Sequence, residues 1–467
     1  MIARPLAAAA LLFASAPVLA QSEQEQLDAR YDRALAAGYK AMMLCSAIAN
    51  AQANGTTRTP ESVEQWELTG IQPPLDAIVP DLEYQILHDP AGRQLRSVHV
   101  TWAEGNVQPR VATYEEGRGC YAQPLGFTQP WAVAPEDAMP DTRSEFGDQP
   151  EIFGGWGSER VGLYLSRKLS VPFEGAFGDS YGVGTRTTAV LVKRGDGVAE
   201  QYAAGFNAST PQRTWSVAKS IAATLVGAAV HRGEAEVYAS SYLGAGDDDP
   251  RRAISIDNAL RMASGRYSDT PGNRTDPLYW GGAAVDEVAL DWPLIHRPGT
   301  TYRYANNDTL AAVQAIEGTF AAHPPAALFE ALGMDHTVAE TDWQGNYILS
   351  SQVWTTARDL AKFGQLYLDD GELLDGTRIL PEGWVEYVSA PSGPQPEGAF
   401  GYGAGFWLLN KSEGVPPDTF AAFGNRGQYV VIVPSRDVVI VRRGEDPVGA
   451  RFDIAAFTRD VLASLSE

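Results

Sequence analysis

The chain has 467 residues, 44% apolar and 20% charged, enough to bury large cores and arranged most simply as two structural units; disorder, collagen and coiled coil are excluded as the main architecture. With 36 basic against 58 acidic residues the formal net charge is −22, and no basic run gathers phosphates against that field, which argues against nucleic acid as a partner. Six dispersed histidines without H-E-x-x-H spacing, and only two cysteines, argue against a metal centre.

Residues 1–20 read as a secretory signal peptide, with one early charge at Arg4, an apolar stretch from Leu6 to Phe13, and Val18 and Ala20 preceding a cleavage point ahead of Gln21. The stretch is shorter than the ~20 apolar residues that cross a bilayer, and Gln21 is not a lipid-accepting cysteine. The expectation is a periplasmic or secreted protein without a membrane span. From Glu25 to Gln52, Leu27, Tyr31, Leu35, Tyr39, Met42 and Ile48 recur at the spacing of an amphipathic helix. Short strands follow at Tyr84 to Leu87, Ser97 to Trp102 and Arg110 to Tyr114, with turns between them. Cys45, on the helix, and Cys120 leave two readings, a disulfide or two buried thiols. An oxidising compartment favours the disulfide, whose long loop contributes on the order of 4 kcal/mol in the chain-entropy model. Residues 21–157 thus form a small accessory α+β unit, ending in the Pro-, Gly- and acid-rich stretch from Pro124 to Gly157.

The second unit, residues 158–467, carries an early Gly178-Asp179-Ser180-Tyr181-Gly182, which matches the G-x-S-x-G nucleophile elbow. An elbow needs a strand before the serine and a helix after it, whereas this segment leads straight into a strand, so it reads as a loop. Thr187 to Lys193 and a return strand to Ala204 make a hairpin about Gly195-Asp196-Gly197. A second hairpin, Gln428 to Val433 and Val438 to Arg442, precedes a terminal helix from Ala450 to Leu465. Helical segments fill the middle. The pattern predicts an α+β architecture, with one antiparallel sheet assembled from distant chain segments, covered by helices and flanked by a mostly helical lobe.

Ser216-Val217-Ala218-Lys219 is the S-x-x-K of the chain, and it opens a run, Val217 to Val230, with almost no polar face before His231-Arg232-Gly233. That is a buried helix with a glycine cap, and it sets Ser216 and Lys219 on one face of its first turn. Apolar surroundings and the positive end of the helix dipole both lower a lysine pKa there, and a neutral amine can take a proton from serine. Tyr304-Ala305-Asn306 follows the turn-rich Pro298-Gly299-Thr300 and offers a phenol that passes protons and an amide that bonds a substrate carbonyl or the lysine. Tyr279 and Trp280 are candidate pocket walls or exposed aromatics of a packed lobe.

These two motifs, together with Gly424-Asn425-Arg426-Gly427-Gln428, resemble in order and spacing the three active-site motifs of the serine β-lactamase and penicillin-binding superfamily, for which S-x-x-K is a signature. Met262-Ala263-Ser264-Gly265, Leu332-Gly333-Met334, Thr356 to Leu360, Ile379 to Trp384 and Gly401 to Trp407 resemble the branch holding class C β-lactamases, esterases and 6-aminohexanoate-dimer hydrolase, the last most of all. The resemblance spans about residues 180–467. It implies a β-lactamase/transpeptidase-like fold and no cofactor, with Ser216 as acyl-accepting nucleophile, Lys219 as its base and Tyr304 as proton shuttle. It further implies an oxyanion hole from the N–H groups of Ser216 and Gln428, and substrate contacts from Asn306, Asn425, Arg426 and Gly427. The departure lies at the third motif, where Asn425-Arg426-Gly427 replaces the family's lysine or histidine, small residue and glycine. Alternation along one strand would put Asn425 and Gly427 on one side and turn Arg426 to solvent. The expected function is an extracytoplasmic serine hydrolase of a small amide or ester. A β-lactamase or D-peptidase, and a non-catalytic protein that binds cell-wall fragments, stand as alternatives, and the oligomeric state is open.

Overall fold

The structure, a computed structural model, describes residues 16–465 except 106, 127–172 and 268–275. Residues 1–15 of the expected signal peptide, and most of the proline-rich boundary stretch, lie outside the described residues.

The first region begins with helix α1, Ala16–Ala53, longer at its start than the apolar periodicity predicted. Leu27 and Tyr31, counted in the apolar stripe, are exposed, whereas every residue from Ala34 to Ala51 is buried. A helix this rich in alanine can be packed on all sides. One side meets an antiparallel sheet, in order β1 (Tyr84–His88), β2 (Leu95–Val100), β3 (Arg110–Glu115) and β4 (Gly119–Ala122). The other side meets Trp280 of the second region, and Trp215, Leu310 and Trp354 belong to the same apolar core. At Gly38 an added Cβ would stand 1.9 Å from the Trp280 carbonyl oxygen, so only glycine lets the helix approach there. Tyr39, next along, meets Trp280 edge-on at 4.8 Å between ring centroids. A disulfide joins Cys45 of α1 to Cys120 of β4, which settles the choice between a bridge and two thiols. A short helix, α2 (Pro60–Trp66), capped by Thr59, leads into a loop through Gly70 that lies against the second region.

The second region holds a seven-stranded antiparallel sheet in the order β10 (Gly401–Tyr402), β11 (Trp407–Leu408), β12 (Phe420–Gly424), β13 (Gln428–Val433), β14 (Val438–Gly444), β5 (Thr187–Arg194) and β6 (Gly197–Tyr202). Chain-terminal β13 and β14 pair beside β5, as the two hairpins predicted, so the sheet closes only when distant segments meet. Alternation sorts its side chains. Val430, Ile432, Val439 and Val441 face the helical core, while Val431, Val433, Val438 and Ile440 face the C-terminal helix α6, Ile454–Ser464. A small sheet, β7 (Gln212–Arg213), β9 (Val353–Thr355) and β8 (Val338–Ala339), lies in the same region, and Trp354 of β9 joins the core shared with α1.

Helix α3, Ala218–His231, runs through the middle of this second region, and Ala218 to Ala229 are all buried. Gly233, in the left-handed conformation at φ 74°, ends it as the sequence predicted. Burying side chains such as Ile221, Leu225 and Val226 contributes about 1.5–3 kcal/mol each. Helices α4 (Asn306–Ile316) and α5 (Ala357–Leu368) pack around it, α5 also lying against the sheet.

Candidate active site

Ser216 occupies a short 3-10 turn, Trp215–Val217, immediately before α3, rather than the first α-helical turn. Trp215 takes the left-handed conformation there, φ 49°, a backbone state that costs a non-glycine residue of order 1–3 kcal/mol and persists only when neighbours hold it. The turn has a visible consequence. Between Thr210 and Ala229, Ser216 alone is not buried.

Lys219, one turn on, is 1% exposed. Its Nζ lies 2.5 Å from Asn306 Oδ1, 2.8 Å from the Ser350 carbonyl and 3.3 Å from Ser216 Oγ. Burial pushes its pKa down to about 7, and no carboxylate stands among these contacts to reverse that. A neutral amine has two hydrogens and one lone pair. Asn306 Oδ1 and the Ser350 carbonyl can only accept, so they take the two hydrogens, and the lone pair is left for the Ser216 hydroxyl. The geometry therefore orients the amine as an acceptor of the serine proton.

Tyr304 is half-buried, and the side chains of Ser216 and Trp407 act on its hydroxyl. Burial raises its pKa, which keeps the phenol protonated at neutral pH. Its ring lies over Trp407 at 5.4 Å and 5.2 Å from Lys219 Nζ. Ala305 is extended, and Asn306 begins α4. The helix thus aims the amide oxygen of Asn306 at Lys219, one of the two partners the sequence offered it.

The end of β12 closes the other side. At Gly424 an added Cβ would stand 2.3 Å from the Thr214 carbonyl oxygen and 3.2 Å from the Ser216 nitrogen, so glycine is what lets this strand reach the nucleophile turn. Gly424 pairs with Gln428, the first residue of β13, which brings that backbone to the same place.

The third motif departs from its sequence reading. Residues 425–427 form a turn, not the start of a strand, and Arg426 is left-handed at φ 56°. Strand alternation therefore does not apply, and Arg426 is buried rather than solvent-facing. Its guanidinium is buried against Glu445 Oε2, at 2.5 Å, and against the carbonyls of Trp66, Thr69 and Gly70. Gly427, φ 79°, is likewise packed, since a Cβ there would meet the Arg442 guanidinium and the Asp446 carboxylate. Asn425 is exposed and lines a cavity of about 740 Å³ with Phe400, Trp407, Phe423, Tyr429 and Arg459. Trp407 belongs both to this cavity and to the Tyr304 contacts.

Tyr279 and Trp280 are buried and are not pocket walls. Trp280 fills the core shared with the first region, and the Tyr279 hydroxyl lies 2.8 Å from Ser350 Oγ, behind the carbonyl that holds Lys219. Ser180 sits in a turn before β5, with no strand ahead of it among the described residues. The role of Ser350 escapes sequence reasoning because a backbone carbonyl carries no residue signature.

A family model described as Beta-lactamase matches residues 182–463, which leaves the first region outside it. The 6-aminohexanoate-dimer hydrolase of Paenarthrobacter ureafaciens is 28% identical over 295 residues, covering 56% of this chain and 74% of the relative. Among solved structures, a Bacillus anthracis protein provisionally named as a 6-aminohexanoate-dimer hydrolase superposes with a TM-score of 0.52 at 19% identity, covering 63% of this chain and 81% of its own. A provisionally named β-lactamase from Bacteroides dorei gives 0.50 at 20% identity, with 63% and 96% covered. These likenesses show a shared fold, β-lactamase/transpeptidase-like.

Proposed function

Because this chain belongs to the β-lactamase family and is a serine hydrolase of that type, we propose that it cleaves a small amide or ester through an acyl-enzyme on Ser216. The observation that carries this reading is the Lys219 amine, buried among neutral oxygens and 3.3 Å from the one part-exposed hydroxyl of its segment. Ser216 Oγ attacks the substrate carbonyl as its proton passes to Lys219. The tetrahedral oxyanion is held by the N–H groups of Ser216 and Gln428. Tyr304, protonated and beside Ser216, hands a proton to the leaving group, and the path reverses when water releases the acyl group. The cavity beside Asn425 and Trp407, about 740 Å³, has the volume of a small-molecule site and an aromatic wall suited to an apolar acyl or amine chain.

Asn425 in place of a lysine or histidine removes the fixed cation that would draw a substrate carboxylate, and Arg426, turned into the protein, does not replace it. An uncharged ester or amide therefore suits the site better than a β-lactam. Among the described residues no helix is long and apolar enough to cross a membrane. The segment ahead of Gln21 and the Cys45–Cys120 bridge support a periplasmic or secreted enzyme.

The test is a panel of p-nitrophenyl esters, linear amide dimers, D-alanyl peptides and nitrocefin, run with Ser216→Ala as control. Turnover of esters or amides that vanishes in Ser216→Ala is expected. Hydrolysis of nitrocefin alone would move the assignment to a β-lactamase, and a stable adduct without turnover would favour a sensor.

A further inference from the structure

Resting on the reading that the N–H groups of Ser216 and Gln428 form the oxyanion hole, we propose that the N-terminal region is part of the catalytic machinery. It positions one donor through Trp215 and the other through Arg426.

Each donor follows a left-handed residue whose side chain is embedded in the first region or in the core shared with it. Trp215 immediately precedes Ser216. Its indole is buried in the core built with α1 and the β1–β4 sheet. It meets Trp280 edge-on at 6.3 Å, and Trp280 meets Tyr39 of α1 at 4.8 Å. The Arg213 guanidinium covers its other contacts, 3.8 Å from the ring centroid. Arg426 stands two residues before Gln428. Its Nη2 donates to the Trp66 and Thr69 carbonyls at 2.9 Å each and its Nη1 to Gly70 at 3.2 Å, all in the first region.

The loop that receives Arg426 is itself fixed. Glu67 is held bidentately by buried Arg58 at 2.9 and 2.7 Å, and the Gly70 carbonyl also accepts from Val448 N. On the far side of the turn, Arg442 Nη1 donates to the Gly427 carbonyl at 2.8 Å. The turn that aims the Gln428 N–H is therefore gripped by two guanidinium groups, one of which reaches across to the first region. A planar fork with five donors can span one carboxylate and three carbonyls, and a lysine ammonium cannot. Oxyanion stabilisation depends on donors held in place before charge develops, so a loosened turn weakens the transition state and spares substrate binding. Arg426 is on this account a positioning residue, its guanidinium committed to Glu445 and to the carbonyls of the first region.

The experiment uses the full chain with Arg426→Lys, and with Arg426→Met combined with Glu445→Gln so that no carboxylate is left buried and unpaired. For an ester substrate kcat should fall about 10- to 100-fold with KM within about two-fold. Affinity for a boronic acid that mimics the tetrahedral adduct should fall by the same factor, while product inhibition holds. Both variants keeping wild-type kcat and boronate affinity would overturn the proposal, as would equal losses in boronate and product binding. Should neither fold, Trp215→Phe reads the other arm by the same ratio. Ser216→Ala separates the two levels of inference. Retained turnover there refutes the nucleophile itself, whereas an inactive Ser216→Ala beside fully active Arg426 variants refutes only the positioning role.

Discussion

The cleft around Ser216 and the seam between the two regions both bury cations, and they treat them in opposite ways. In the cleft, Lys219 meets an amide oxygen, a carbonyl and a hydroxyl, none of them charged, and its pKa is pushed down to about 7. In the seam and beside it, three buried arginines are matched to carboxylates: Arg426 to Glu445, Arg442 to Asp446 and Arg58 to Glu67. A lysine without a counter-charge can give up its proton, and a guanidinium cannot. The first arrangement makes a base, and the second makes a scaffold whose guanidinium groups stay charged while the base changes state.

If that contrast is right, removing each cation should damage a different property. Lys219→Met should lower kcat/KM for an ester by roughly 10²- to 10⁴-fold, the usual range for a positioned general base, with no fall in melting temperature, because the amine it removes was buried at a cost. Lys219→Arg should be equally inactive, since its charge persists. Arg442→Met should instead cost about 3–5 kcal/mol in denaturant unfolding, because buried Asp446 loses its counter-charge and the Gly427 carbonyl its guanidinium donor. A stable Arg442→Met, or an unstable Lys219→Met, would erase the distinction. The smallest effect belongs to Tyr279→Phe, which removes a hydroxyl standing behind the carbonyl that holds Lys219. A loss of about 1 kcal/mol in stability, and of less than about tenfold in rate, is expected from kinetics and thermal melts.

Much of the cleft was legible because its chemistry fixes spacing. Ser216 and Lys219 must lie one helical turn apart, and the run from Val217 to Val230 shows that the turn is buried. The hairpins at Thr187 and Gln428 were legible from alternation and turn residues. The seam was not. Arg426 reads as a strand residue until two successive left-handed residues, Arg426 and Gly427, are seen to make a turn that carries its side chain into the first region. Tyr279 and Trp280 read as surface aromatics because the partner that covers Trp280, an all-round buried α1, shows only a one-sided stripe in the sequence. Leu27 and Tyr31 continue that stripe but lie beyond the sheet and stay exposed. Strand β4 is too short, and too mixed in composition, to announce itself.

An uncharged Lys219 activates Ser216, and the most direct measurement of this is the pH dependence of covalent labelling by a fluorophosphonate, read by mass spectrometry of the labelled peptide. The adduct should sit on Ser216, and its rate of formation should rise with pH through a midpoint near 7, where the amine loses its proton, and level off above it. An adduct on another residue, or a rate that keeps climbing towards the ordinary lysine range near 10.5, would contradict it.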